Sequence, residues 1–326
     1  MRAARGPGTM QACGRRRSSR PSATPGACSS PGPGGFDVFA GLPLALWLQG
    51  RDVEVHLGNL SIANLYGLDR DAWVAPGVAA IGPDTMTYDS YSPERTLARW
   101  LARHGRPATV YAFPRTGVRP LRSAYRALAK RLALDAIVLV DGGTDILLRG
   151  DEAALGTPVE DATSLAAVLG TPVPTRLVAS IGFGIDAYHG VNHVQVLENI
   201  AALDREGAYL GAFTVPGRSR EAALYRDAVA FAATEMPGAE SIVNGQVAAA
   251  LAGLAGDVRV AERIGDSELF VNPLMAMYFT FDLPGLARRS LYLNQIRATE
   301  DMLSVSAAID AFRRDITPRP RRAFPH

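Results

Sequence analysis

Short apolar runs alternate with helix-period segments through most of the chain. "DVEVHLGNLS" reads as a strand and a turn, and "GVAAIGP" as a short strand. In "SPERTLARWLARHG", Ser92 stands where a helix cap belongs. Pro93 and Glu94 fall in the first turn, and apolar residues follow at helical spacing. "PATVYAFPRTG" predicts a strand and "GVRPLRSAYRALAKRLAL" the helix after it. "DAIVLVDGG" has the continuous apolar run of a buried parallel strand, ended by glycine. The second half repeats the theme: "EDATSLAAVLG" as helix, "TRLVASIGFG" as strand, "NHVQVLENIAALDREG" as helix and "AYLGAFTVP" as strand. "SREAALYRDAVAFAATEM" then reads as helix, and "SIVNGQVAAALAGLAG" as a turn at Asn244 with a further helix. Such alternation predicts the α/β class, with a mainly parallel sheet, right-handed crossovers and helices on both faces. "SELFVNPLMAMYFTFDLPGLARRSLYLNQIRATEDMLSVSAAIDAFRR" breaks it. Its bulky residues followed by long helix predict a helical C-terminal extension that packs across the sheet or forms the face of a homodimer.

The two ends read differently. Arg2, Arg5, Arg15, Arg16, Arg17 and Arg20 stand in the first twenty residues with no acid among them, so residues 1–32 are expected to be a disordered basic tail. Residues 33–316 then form a single α/β domain, and the proline- and arginine-rich 317–326 a flexible C-terminal tail. Without the first tail the net charge of +2 becomes slightly negative, which offers no case for a nucleic-acid surface. No apolar stretch approaches a membrane span, and no apolar core follows the tail's arginines as it would in a signal peptide, so the expected location is cytoplasmic. Lys130 is the one lysine, in a surface-helix pattern, which leaves little room for lysine chemistry. Cys13 and Cys28 both precede residue 33, so the body holds no disulfide, thiolate nucleophile or cysteine metal site.

Candidate chemistry gathers at strand ends. Gly34-Gly35-Phe36-Asp37, Gly142-Gly143-Thr144-Asp145 and Gly182-Phe183-Gly184-Ile185-Asp186 each place glycines before an aspartate. In an open parallel sheet, ligands bind beyond the carboxyl ends of the strands. Glycine lets backbone approach a ligand closely, and exposed N–H groups at a following helix start suit phosphate. Asp is also a common helix cap, so one such turn is ordinary packing; three after separate strands point to a shared ligand edge. Asp37, Asp141, Asp145 and Asp186 could hold Mg²⁺, which would also let a phosphate sit among acids. His189 and His193, four apart, would share a helix face as an acid–base or metal pair, though Gly190 interrupts the stretch. Asn59, Ser61 and Asn64 follow the second strand and could read a ribose or form a turn. Tyr88, Asp89 and Tyr91 lie in a loop that could cover a ligand or cap a core.

"GGFDVFAGLPLALWLQGRDVEVHLGNLS", "VLVDGGTDILLRGDE" with "GTPVEDA", and "IGFGIDAYHGVNHVQVLENIAAL" together resemble a bacterial family of unknown function, number 1152, from about Gly34 to the C-terminal helices. The resemblance implies a Rossmann-like fold and carries no assigned activity or catalytic residue. Gly-Gly followed by "LALWLQGRDVEV" is also similar to the opening of GT-B glycosyltransferases, without the histidine that often follows those glycines. The family's first glycine turn ends an apolar strand, whereas "ACSSPGPGG" stands in that place here. An upstream start-site or frameshift difference would explain this, as would a true loss of the strand, and a gap or an edge is expected where the first strand should lie.

These readings lead to a small-molecule enzyme that binds a phosphorylated or nucleotide-like ligand at the carboxyl edge, with Mg²⁺ as a possible cofactor. Gly34, Gly35, Asp37, Asn59, Gly142, Gly143, Gly182 and Gly184 would shape the ligand site. Asp141, Asp145 and Asp186 would hold the metal, and His189, His193 and Asp145 would do the chemistry. A non-catalytic metabolite-binding or regulatory protein is the alternative, and a glycosyltransferase-like enzyme a second.

Overall fold

A computed structural model describes residues 27–30, 36–88, 90–258 and 270–324. In chain order the elements are β1 (Ala27–Ser30), α1 (Leu42–Gln49), β2 (His56–Ser61), β3 (Trp73–Ala75), β4 (Val78–Ile81), α2 (Pro93–Arg103), β5 (Val110–Pro114), α3 (Val118–Leu132) and β6 (Ala136–Asp141). Next come α4 (Pro158–Leu169), β7 (Thr175–Ser180), α5 (His193–Arg205), β8 (Tyr209–Thr214), α6 (Arg220–Glu235) and α7 (Ile242–Leu251). The chain closes with β9 (Gly256–Asp257), β10 (Phe270–Val271), β11 (Met277–Asp282), α8 (Leu283–Arg289), α9 (Leu293–Ile296) and α10 (Met302–Asp315).

Nine strands form one sheet in the order β3-β4-β5-β2-β1-β6-β7-β11-β8, and β9 pairs with β10 apart from it. The class is α/β, but the sheet is mixed rather than mainly parallel. The central β5, β2, β1, β6 and β7 run parallel. Both flanks are antiparallel: β3 to β4 and β4 to β5 on one side, and β11 to β7 and β8 on the other. The decisive element is β11, from the aromatic stretch expected to pack across the sheet. Its side chains alternate between faces, Tyr278 joining one core and Phe279 and Phe281 the other, and Tyr278 and Phe281 are fully buried. A period of two with both faces covered is the pattern of an interior strand, so β11 is part of the sheet rather than a layer across it.

A second correction concerns β1. No strand was expected before Gly34, yet the backbone of Ala27–Ser30 pairs in parallel with both β2 and β6 at the centre of the sheet. Backbone ladders need N–H and C=O groups rather than apolar side chains, and a missing strand here would leave two interior edges unpaired. Residues 1–26 lie outside the described residues.

Helices cover both faces. α1, α2, α6 and α7 pack on one, around Phe39, Leu42, Trp100 and Tyr225. α3, α4, α5 and α8–α10 pack on the other, around Leu121, Tyr125, Leu165 and Ile309. Ser92 does precede α2, but its side chain makes no capping bond. Asn244, read as a strand-end turn, sits inside α7, where it accepts from the Tyr225 hydroxyl at 2.7 Å and donates to Phe36 O at 3.0 Å. The segment after α10, expected to be a flexible tail, is instead pinned at Arg319. Arg319 reaches Asp151 at 3.0 Å, Glu198 at 2.8 Å and Glu152 at 3.2 Å. Among the described residues no helix is long and apolar enough to cross a membrane.

Candidate functional site

Three of the parallel strands end in buried polar residues. β2 ends with Asn59 and Ser61, β6 with Asp141 and β7 with Ser180, the last two in register. Strand order reverses at the centre: from β1 the chain steps outward to β2 and β5, then returns to β6 on β1's other side. The crevice beyond β1 and β6 is where such a sheet binds ligands.

Most of the expected ligand-reading groups at this edge are engaged with one another. Asn59 Nδ2 donates to Glu94 Oε1 at 2.6 Å, and the Ser61 side chain also hydrogen-bonds Glu94. Glu94 itself is buried at the start of α2, and burial pushes its carboxyl up from the ordinary value, against the two side-chain bonds. A carboxyl raised on folding takes up a proton more readily in the folded state. Its contribution is therefore fully present at acid pH and is lost as pH rises from the unfolded value through the folded one. Glu94→Gln keeps an acceptor for Asn59 and removes the charge. It should match wild-type stability near pH 4 and exceed it near pH 8; urea unfolding at the two pH values checks this, and a constant difference would contradict it.

The second glycine turn is built around an internal carboxylate. Asp186 Oδ2 accepts from Thr144 N at 2.6 Å and Thr144 Oγ1 at 3.2 Å, and a Cβ on Gly143 would lie 2.7 Å from both Asp186 oxygens. Gly143 is thus glycine because a neighbouring turn's acid needs the space. Ser180 Oγ donates to Gly143 O, which joins the β6 and β7 turns. Asp186, expected as a metal ligand, is a brace between these turns. Gly142, Gly182 and Gly184 shape the same junction, while Gly34 and Gly35 lie outside the described residues. Asp37 opens a short 3-10 turn before α1.

His189 and His193 do not share a helix face. His189 ends a 3-10 turn (Ile185–His189), Gly190 follows at φ +85°, and His193 opens α5. His193 stands beside Phe183, with ring centroids 5.6 Å apart. Half-buried His189 lies near Asp145: burial lowers its pKa and the carboxylate raises it in part, leaving a net depression. That keeps the imidazole neutral near pH 7, able to accept a proton.

The acids that do converge are Asp141, Asp145 and Asp161. All three are buried, and one carboxylate oxygen from each lies within 4.8 Å of the others. Asp141 ends β6, and Asp145 starts the 3-10 turn that follows. Asp145 Oδ2 accepts from Thr157 N at 2.8 Å and Thr157 Oγ1 at 2.9 Å. Asp161 comes from the first turn of α4, behind Pro158, and was not expected. Its signal was an acid pair, Glu160-Asp161, opening a helix that is otherwise small and apolar. At an effective dielectric of about 20, two ionised carboxylates this close repel by about 3 kcal/mol.

A narrow cleft lies beside the trio, between the turn after β6, the start of α4 and the α8–α9 corner. Asp145, Asp161, Arg149, Arg289, Ser290 and Tyr292 give its polar lining. Its enclosed space of about 10 Å³ suits one water or one ion. Arg149 and Arg289 are paired with Asp151 and Glu206, and Arg115 at the end of β5 with Glu160, all acids outside the trio. Tyr292 is buried against Phe312, at 5.6 Å between centroids. Burial first, then the carboxylates of Asp161, Glu152 and Asp145, push its phenol up, so it remains a neutral hydroxyl.

A family described as a protein of unknown function (DUF1152) has a model that matches residues 58–313. The match begins in β2, so the opening glycine turn falls outside it. No curated protein and no solved structure matches the chain.

Proposed function

This chain belongs to the DUF1152 family, and from that premise we infer a small-molecule enzyme that binds a phosphorylated or nucleotide-like ligand at the carboxyl edge of the sheet. The observation that carries the reading is the convergence of three buried carboxylates at the end of β6, beside the point where strand order reverses. The order β5-β2-β1-β6-β7 is also that of a doubly wound, Rossmann-like sheet, in which the crevice at this reversal takes a dinucleotide. A phosphate would be repelled by such acids alone, so phosphate and a divalent cation stand together in this reading. His189, neutral and near Asp145, is the group that would move a proton; His193 stands apart beside Phe183.

Thermal unfolding of the full chain against ATP, NAD⁺ and sugar phosphates, each with and without Mg²⁺, tests this. At least one phosphorylated compound should raise Tm by several degrees, and more with Mg²⁺ than without, since a ligand at one hundred times its Kd adds about 2.7 kcal/mol. No shift from any of them would remove the reading. A non-catalytic metabolite-binding protein is the second reading, favoured by the separation of His189 from His193. It expects His189→Ala to leave ligand affinity unchanged and no turnover of the bound compound by the wild type.

A further inference from the structure

We propose that Asp141, Asp145 and Asp161, with the hydroxyl of Tyr292, form a site for a single Mg²⁺ or Mn²⁺ ion where Asp145 and Asp161 line the cleft between the turn after β6, α4 and the α8–α9 corner. The proposal uses the carboxylates of the reading above but requires no organic ligand.

Oxygen donors are the chemistry of hard cations. A few carboxylates with retained water suit Mg²⁺ and Mn²⁺, whereas the absence of His or Cys from the trio disfavours zinc. Crowded acids alone would be a weak argument, because burial and internal hydrogen bonds can hold them. Tyr292 adds an independent one. It is 5 % exposed and lines the cleft together with Asp145 and Asp161, yet its hydroxyl has no hydrogen-bond partner among the described residues. A buried phenol hydroxyl normally finds a partner. Its ring cannot turn away: Phe312 packs on it, and a Cβ on Gly150 would come within 2.8 Å of Tyr292 Cδ1. The ring is therefore held in place beside the cleft that Asp145 and Asp161 line. A water bound to a cation held by the three carboxylates would satisfy the hydroxyl.

The pairing of nearby arginines agrees with this. Arg149 and Arg289 line the cleft but are held by Asp151 and Glu206, and Arg115 is held by Glu160. Positive charge is thus drawn to acids around the trio, and a small cation is the group that fits the remaining space.

The test uses the EDTA-treated full chain and Mn²⁺ alone, with free Mn²⁺ read by electron paramagnetic resonance. One Mn²⁺ should bind per chain. Asp161→Asn should weaken it at least tenfold, and Asp141→Asn carries the same expectation should the first variant fail to fold. Tyr292→Phe keeps the ring and should weaken binding severalfold while Tm in the absence of metal changes little. Absence of saturable Mn²⁺ binding would overturn the site, as would wild-type affinity in a folded Asp161→Asn or Asp141→Asn. Unchanged affinity in Tyr292→Phe would overturn the part given to the phenol. Mn²⁺ binding with no response to nucleotides or sugar phosphates would remove the proposed function and leave this site. A response to nucleotides or sugar phosphates in a wild-type chain that shows no saturable Mn²⁺ binding would do the reverse.

Discussion

Glu152→Ala is expected to lower the unfolding free energy by about 3–5 kcal/mol, as removal of one partner from a buried charged network does. Glu152 is fully buried in the turn after β6, and its carboxylate accepts from Arg149 N at 3.1 Å, Gly150 N at 2.9 Å and Asn199 Nδ2 at 2.6 Å. Arg319, from the segment after α10, adds a fourth donor at 3.2 Å. Alanine would leave two backbone N–H groups and a buried amide without this acceptor, at roughly 1–3 kcal/mol for each that water does not reach. Arg319→Ala is the informative comparison. Its side chain is 34 % exposed, and Glu152 would retain three donors, so its loss should be nearer 1 kcal/mol. Urea unfolding with unchanged m-values checks both, and equal losses would show that Glu152 is not the centre of this network. The same turn carries Gly150, against which Tyr292 packs, so Glu152→Ala should also loosen the proposed cation site.

This network shows why the sequence was legible in some places and not in others. "LLRGDE" looks like a polar surface loop, because nothing local says that Arg319, over 160 residues later, will bury its glutamate. "AIVLVD" needed no such information: an uninterrupted apolar run ended by Asp141 is a buried strand wherever it stands. Asp141 and Asp145 were accordingly visible as members of an acidic site. Asp161 was not, since acids in a first helical turn are ordinary, and only the packing of α4 against the sheet turns this one inward. Asp186 shows the opposite case. The same Gly-x-Asp pattern that suggested a metal ligand is consumed by Thr144, a contact between turns that sequence spacing does not encode. β11 was misread because a bulky aromatic run suits an interior strand or a packed surface equally well. β1 was misread because its place in the sheet rests on backbone pairing across β2 and β6, which the composition of "ACSS" does not reveal.

Gly156→Ala is the second large expected effect, about 3–5 kcal/mol, and it bears on the site directly. Two terms combine. Gly156 has φ +65°, a left-handed conformation that costs an L-residue about 1–2 kcal/mol. A Cβ there would also lie 2.4 Å from Asp145 Oδ2 and 2.8 Å from Asp145 Cβ, so the carboxylate must move. Moving it breaks its bonds from Thr157 N and Oγ1, each worth about 1.5–3 kcal/mol for a charged acceptor, less what water restores. The terms separate experimentally. Gly105 and Gly207 have φ +62° and +71°, and a Cβ on either would meet nothing within 4 Å. Gly105→Ala and Gly207→Ala should each lose only the conformational part, about 1–2 kcal/mol, and retain wild-type Mn²⁺ affinity. Gly156→Ala should lose more than either and at least tenfold in Mn²⁺ affinity, because Asp145 no longer stands within reach of Asp141 and Asp161. If its loss equals that of the two controls and Mn²⁺ affinity is retained, Asp145 is not held in place by this turn. The ion would then be held without Asp145 in its present place, and Asp145 would drop out of the proposed site.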